Sequence, residues 1–531
     1  MMNRRRFLQA SGMSAAALTV GQSALAHCGR CDAGKKPAAK TPNVILILVD
    51  DMGYGDPQCY NAKSLIPTPN IDALAKQGMR FTDAHSPSSV CTPTRYSILT
   101  GRYCWRTRLK RGIVNTWGKS LIAKDRLTMG KMFQSLGYST ACVGKWHLGQ
   151  DWSKVRKSVK KGQKPPKGYK TIGPANVAYD FTKPIGNGPA TRGFDYYFGT
   201  DVPNWPPYCF IENNHTVGIP TVAKPKEMYG QPGPMIKGWD LTQIIPSLFD
   251  KANGWVKTEA AKKDKPFFLY LPLTGPHTPI APTKEFQGKT KAGWYGDFVH
   301  EIDYYIGTLM KTLEDSGQAD NTIVIFSSDN GSPCRDGEGM AGATGSVRKL
   351  GHDPSRPWRG MKADAWDGGH RVPFIIRWPG KTPAGKVSTE PLCSVDLIAT
   401  LAAATGYDLP DATAEDSHNL LDLFTGKPVG IDAGKPAIRE CVIHHSIDGT
   451  FCVRQDGWKL IIGNLGSGGF SAPRRVKFKP GGPKGQLYNL REDPKETTNL
   501  WMEHPAKVAE LVALMEKYER LGRTAPKRHK K

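Results

Sequence analysis

The sequence predicts an α/β fold: a large, mostly parallel sheet flanked by helices, followed by a small C-terminal antiparallel sheet with one covering helix. Residues 43–49 form a short continuous apolar run, the pattern of a strand buried on both faces, and three further mainly apolar runs, 139–143, 266–273 and 322–326, repeat its layout. Each run ends in polar residues: Asp50-Asp51, Gly144-Lys145-Trp146-His147, Gly275-Pro276-His277 and Ser328-Asp329-Asn330-Gly331. Helical patterns lie between the runs, at 69–78, 127–136 and 294–316, and that alternation is the grammar of a doubly wound sheet. Ligands in such sheets bind beyond the carboxyl ends of the strands, so the four polar clusters are expected to converge on one face.

The elements follow in order. Residues 1–26 carry Arg4-Arg5-Arg6, a mildly apolar stretch and the small-x-small ending Ala24-Leu25-Ala26, the layout of a secretory signal. The run from Asn3 to Gln9 resembles the twin-arginine export consensus, which places the mature chain in the periplasm or outside the cell. Residues 27–41 form a Lys- and Ala-rich linker. Its Cys28 and Cys31 are the chain's only C-x-x-C pair and lie before the fold begins, which argues against zinc. His27 stands where a lipidation site wants a small residue, so lipid attachment at Cys28 is the minority reading. A main domain is expected over 42–436 and a small α+β subdomain over 437–531. In the latter, short strands are expected at 442–445, 450–455, 458–462 and 487–490, a Gly- and Pro-rich loop at 466–485 and a helix at 505–521.

Composition limits the function. With 531 residues, 39% hydrophobic and 23% charged, and with 57 Gly and 41 Pro, the chain is neither a disulfide-stapled miniature nor a low-complexity sequence. Lys and Arg number 73 against 48 Asp and Glu, a formal net charge of +25, which points to polyanionic partners. Residues 1–26 hold three Arg and no acid, so the basicity belongs to the mature protein, and export argues against nucleic acid. The run 154–170 has eight basic residues and no acid and reads as an exposed loop. No later segment reaches the roughly eighteen apolar residues of a membrane span. The eleven Cys are an odd number, so one is expected to do something other than pair.

Cys91-Thr92-Pro93-Thr94-Arg95 precedes a helical stretch at 96–100. A cysteine entering a helix beside an arginine is a candidate reactive thiolate, and a buried structural cysteine is the alternative. With Leu99-Thr100-Gly101-Arg102, this stretch resembles the signature of the type I sulfatases of the alkaline-phosphatase superfamily, which begins C-x-P-S-R and runs on to Leu-Thr-Gly; Thr94 stands where the family usually has Ser. The resemblance extends over about 42–500, including Leu487-Tyr488-Asn489-Leu490-Arg491-Glu492-Asp493-Pro494.

The resemblance implies that a formylglycine-generating enzyme oxidises Cys91 to formylglycine. It implies a metal site from Asp50, Asp51, Asp329, Asn330 and the modified Cys91, whose hard oxygen donors suit Ca²⁺, or Mg²⁺ in its place. Arg95, Lys145, His147, His277 and Lys362 match the family's remaining catalytic positions. The implied activity is release of inorganic sulfate from sulfate monoesters, of aryl alcohols or, preferentially, of carbohydrates. One hydroxyl of the hydrated aldehyde attacks sulfur. His277 with Lys362 protonates the leaving oxygen, and His147 takes the proton that lets the second hydroxyl expel sulfate. Two other readings stand beside this one: a phosphodiesterase or phosphonate monoester hydrolase using the same aldehyde, and a non-catalytic binder of sulfated glycans. His444 and His445 are candidates for the pocket rim, with strand packing as the simpler expectation.

Overall fold

Strand β1 (Asn43–Asp50) is buried along its whole length, and its side chains alternate between two cores. Val44, Leu46 and Leu48 enter one and Ile45, Ile47 and Val49 the other, as the period of two requires for a strand covered on both faces. The structure, a computed structural model, describes residues 41–528 apart from 161, 174 and 175. The expected signal segment and nearly all of the linker, Cys28 and Cys31 included, lie outside the described residues.

β1 pairs in parallel with β3 (Phe267–Pro276) on one side and β4 (Thr322–Ser328) on the other, with Leu46 opposite Tyr270 and Ile325. β2 (Ser139–Val143) lies beyond β3, again parallel. The full sheet has ten strands in the order His215–Thr216, Ile211–Glu212, Tyr196–Gly199, β2, β3, β1, β4, Phe374–Arg377, Met79–Phe81, Lys386–Ser388. Helices α1 (Pro69–Gln77), α4 (Ile244–Ala260) and α5 (Gly293–Asp315) cover the face of Ile45, Ile47 and Val49. The other face is covered by α2 (Cys91–Thr100), α3 (Met129–Ser135) and α6 (Leu397–Thr405). The sheet is parallel in its centre and mixed at its flanks, where Phe374–Arg377 runs antiparallel to both neighbours. Strands of three or four residues carry too little periodicity to be read from sequence.

Each fully buried aliphatic side chain of β1 contributes about 1.5–3 kcal/mol by leaving water. Ile47→Ala is expected to cost about 2–5 kcal/mol, because the facing helices relax only partly into the gap. Urea unfolding checks this, and a loss under about 1 kcal/mol would contradict the packing described.

The run 154–170 is not wholly loop. Arg156–Ser158 and Lys170–Thr171 both pair antiparallel with Val177–Tyr179. Val155, Ile172, Val177 and Tyr179 anchor this small sheet in the main core, while the lysines between stay exposed. Near the C-terminus, Val442–His445, Phe451–Gln455, Trp458–Ile462 and Gly485–Asn489 form an antiparallel sheet in sequence order. The helix Pro505–Leu521 packs Leu511, Leu514 and Met515 on one side of it, and Ala365 and Trp366 of the main domain meet the other. Among the described residues all nine cysteines are free, and no helix is long and apolar enough to cross a membrane.

Candidate active site

The parallel order β2-β3-β1-β4 brings the four polar clusters to one edge of the sheet. At the end of β1 the pairing with β3 slips between Leu48 and Asp50, and Asp51 turns away in the left-handed region at φ 70°. That irregularity points two successive carboxylates into the same space. Past β2 the chain turns at Gly144, φ 137°, where a Cβ would collide with the carbonyl of Pro272, so only glycine fits. The turn delivers Lys145 and then His147, which is itself left-handed at φ 52°.

Behind the cavity lies a fully buried charge cluster. Arg95, on the first turns of α2, donates from Nε to Asp329 Oδ2 at 2.9 Å, and its Nη2 lies 2.7 Å from the same oxygen and 3.6 Å from Asp50 Oδ2. Lys145 Nζ is 2.5 Å from Asp50 Oδ2. Lys362 Nζ straddles Asp51, 2.6 Å from Oδ1 and 2.8 Å from Oδ2, and Asn330 Nδ2 donates to Asp51 Oδ1 at 2.7 Å. Burial alone would raise the Asp50 carboxyl, but Lys145, His277, Arg95 and Lys362 hold it well below the ordinary carboxylate value. Burial and the neighbouring Asp50 push Asp329 the other way, above its usual value.

Two oxygens in this cluster have no hydrogen-bond partner although they are buried: Asp50 Oδ1 and Asn330 Oδ1. Buried acceptors are expensive to leave unpaired, and a hard cation between them would satisfy both. Asp50, Asp51 and His277 also offer ligand atoms within 4.8 Å of one another. The donor set therefore fits an oxygen-seeking divalent ion. Asp329 sits in the same cluster with Oδ2 committed to Arg95 and Oδ1 accepting the backbone N–H of Asp51 at 3.3 Å.

The cavity in front, about 200 Å³, is lined by Asp51, Cys91, His147, His277 and Lys362, with Trp205, Arg335 and Phe470 at its walls. Cys91 is the first residue of α2 and only 2% exposed, so the helix begins five residues earlier than the sequence suggested. Thr94 is buried and donates to the carbonyl of Ser88 at 3.0 Å, a bond a serine would also make. His277 Nδ1 lies 2.6 Å from the Thr278 carbonyl, so Nδ1 carries the proton and Nε2, 3.9 Å from Asp51 Oδ2, keeps its lone pair. Burial, then Lys362, lowers its pKa to about 4. His147 Nε2 meets the Val114 carbonyl at 3.0 Å, leaving Nδ1 buried and unpartnered. Burial, then Lys145, lowers its pKa to about 3. Both imidazoles are thus neutral at neutral pH.

All ten residues singled out in sequence come together here. Sequence reading missed Thr92, whose hydroxyl donates to the His147 carbonyl at 2.9 Å, and Asp201, which accepts the His147 N–H at 3.2 Å. It also missed Trp205, whose ring stands edge-on to His147 at 5.2 Å. Thr92 lies inside the quoted motif; Asp201 and Trp205 follow the short strand Tyr196–Gly199 and carry no pattern of their own. His444 and His445 do not line the cavity. The His444 ring packs 3.3 Å from that of His370, and the carbonyl of His445 accepts the Ser89 N–H at 3.1 Å.

Comparison with known proteins fits this geometry. A family model described as Sulfatase matches residues 42–407. The N-acetylgalactosamine-6-O-sulfatase of Bacteroides thetaiotaomicron is 32% identical over 521 residues, covering 90% of this chain and 93% of its own. Arylsulfatase A of Homo sapiens is 29% identical, covering 87% and 84%. A solved structure from work on the metabolism of multiple glycosaminoglycans by Bacteroides thetaiotaomicron superposes with a TM-score of 0.75 at 30% identity, over 91% of this chain and 100% of that one.

Proposed function

Because the chain belongs to the sulfatase family and is a hydrolase of sulfate esters, we propose that it acts on carbohydrate sulfates through Cys91 matured to formylglycine, beside a divalent cation, Ca²⁺ or Mg²⁺. The observation that carries the proposal is the position of Cys91, at a helix start inside one cavity with Asp51, His147, His277 and Lys362. Asp50, Asp51, Asp329 and Asn330 would hold the cation, with residue 91 as a further ligand. When bound, the cation supplies Lewis acidity beside residue 91, and the aldehyde supplies a nucleophile that can be regenerated.

The chain's own residues do the rest. Arg95 and Lys145, both fully buried, keep Asp50 ionised and fix the back wall. Lys362 and His277 face the cavity, where the Lys362 ammonium would stabilise charge developing on the departing oxygen and give it a proton, and the Nε2 lone pair of His277 would help position that ammonium and the leaving group. His147, with Nδ1 unpartnered, is placed to accept a proton and pass it on. Export by the twin-arginine-like segment 1–26, maturation by a formylglycine-generating enzyme and the division into a catalytic domain, 42–436, and a subdomain, 437–531, belong to the same proposal.

Three measurements test it. Sulfate release from a panel of sulfated sugars is expected to exceed that from 4-nitrophenyl sulfate. Mass spectrometry of the peptide containing residue 91 is expected to find an aldehyde, and an unmodified thiol in fully active protein would overturn the proposal. Chelation with EDTA is expected to abolish turnover and to lower Tm by several degrees. Without the cation, Asp50 Oδ1 and Asn330 Oδ1 stay buried and unpaired, at about 1–3 kcal/mol each. Readdition of Ca²⁺ or Mg²⁺ should reverse both effects; activity and Tm indifferent to EDTA would count against the metal.

A further inference from the structure

The active site uses few of the surplus cations, and the structure shows where two acid-free stretches go. Residues 101–124 contain seven Lys and Arg and no Asp or Glu, and residues 152–179 contain eight and none. Arg102 and Arg106 are spent on Glu415, at 3.5 Å, and Asp416, at 2.9 Å. Beyond them, Arg108, Lys110, Arg111 and Lys119 are exposed and, among the described residues, in no ion pair. Lys157, Lys160, Lys164, Lys167 and Lys170 are likewise exposed and in no ion pair among the described residues.

The two stretches are fastened to each other and to the catalytic cavity. Trp117 packs edge-on against Trp152, ring centres 4.9 Å apart, and lies 5.4 Å from Tyr179, while the guanidinium of Arg156 sits 5.7 Å above it. The N–H of Gln150 donates to the Gly118 carbonyl at 3.0 Å, and that of Leu121 to the Leu148 carbonyl at 2.8 Å. Gly149, at φ 75°, lets the backbone of Lys119 approach where any Cβ would collide with its carbonyl. At the other end, Val114 holds His147 through its carbonyl, and Ile113 lines the cavity. Arg111 is therefore two residues from the cavity wall, and the lysine-rich sheet is bolted to the segment that carries His147.

We propose that these two stretches form one cationic track, leading away from the cavity mouth, that docks the chain of a sulfated polysaccharide while one of its sulfate esters occupies the site. The inference rests on the carbohydrate-sulfatase reading for its choice of polyanion. A row of exposed, unpaired cations gives little affinity to a single charge screened by about 8–10 Å in physiological salt, but its attraction adds up along a partner with many charges. The track therefore distinguishes a polymer from a small ester, not one small ester from another.

The test uses the whole mature protein with Lys157→Glu, Lys164→Glu and Lys167→Glu combined, and separately Arg111→Glu. For the triple variant the KM for a polymeric sulfated galactan should rise about tenfold and binding of fluorescent dextran sulfate should weaken equally, with kcat/KM for 4-nitrophenyl sulfate unchanged. In wild type, 0.5 M NaCl should remove the advantage of the polymer over the small ester. Unaltered dextran sulfate binding by both variants, or equal slowing on polymer and 4-nitrophenyl sulfate, would overturn the track. Wild-type protein binding double-stranded DNA or phosphatidylglycerol vesicles as tightly as dextran sulfate would overturn the assignment to sulfated polysaccharide. Dextran sulfate bound through the track by a protein that turns over no sulfate ester would refute the catalytic reading and leave the docking surface standing.

Discussion

Replacing Cys91 with alanine is expected to lower sulfate-ester turnover by a factor on the order of a thousand or more, with the protein still folded. The substitution removes one sulfur from a side chain that is 2% exposed at the first position of α2. Its structural cost is a small cavity, and alanine is a better helix former than cysteine, so Tm should stay within a few degrees of wild type. The charge cluster behind residue 91 would remain: Arg95 on Asp329, Lys145 on Asp50, Lys362 on Asp51. On the proposed reading the cavity would still accept a sulfuryl group beside Lys362 but would hold nothing that attacks sulfur. The variant should therefore bind a sulfated sugar with nearly wild-type affinity and release almost no sulfate, a split between binding and kcat that equilibrium binding and sulfate assay read separately. Turnover above about a tenth of wild type would remove Cys91 from the chemistry.

The sheet and the site were legible in sequence to different depths. β1, β2, β3 and β4 were readable because each is a run of apolar residues long enough to show burial on both faces, and the polar residues after each run marked its carboxyl end. The antiparallel flank was not readable, because Met79–Phe81 and Phe374–Arg377 are defined by their partners and not by any pattern of their own. The run 154–170 misled for the opposite reason: its lysines dominate the composition, while the few residues that pin it, Val155 and Val177 among them, are spaced irregularly. In the site, Asp50, Asp51, Lys145, His147, His277, Asp329 and Asn330 stood out by type and by position after the strands, whereas Arg95 and Lys362 were placed by the resemblance to the sulfatase family and Cys91 by its motif at a helix start. The contacts that orient them did not. Val114 positions His147 through a backbone carbonyl, and a carbonyl leaves no mark in the sequence.

Arg95 should be the costliest residue of the cluster to lose, and its loss separates structural from chemical contributions. The side chain has 0% exposure, with Nε and Nη2 on Asp329 Oδ2 and Nη1 donating to the Lys145 carbonyl at 3.1 Å. Arg95→Met keeps most of the volume and removes the charge, leaving the Asp329 carboxylate buried without its partner. Breaking a buried pair from one side costs about 3–5 kcal/mol, more than the net contribution of the intact pair, because the remaining charge is uncompensated. Arg95→Lys should recover only part, since an ammonium cannot place donors on both the carboxylate and the Lys145 carbonyl. Adding Asp329→Asn to Arg95→Met removes the stranded charge and should restore about 2 kcal/mol or more in urea unfolding, a coupling that the double-mutant cycle isolates. The double variant should nonetheless remain inactive, because it lacks both the buried cation behind the cavity and one of the carboxylates proposed to hold the metal. A single variant costing less than 1 kcal/mol, or a double variant no more stable than the single one, would mean that Arg95 is not the counter-charge that the geometry makes it.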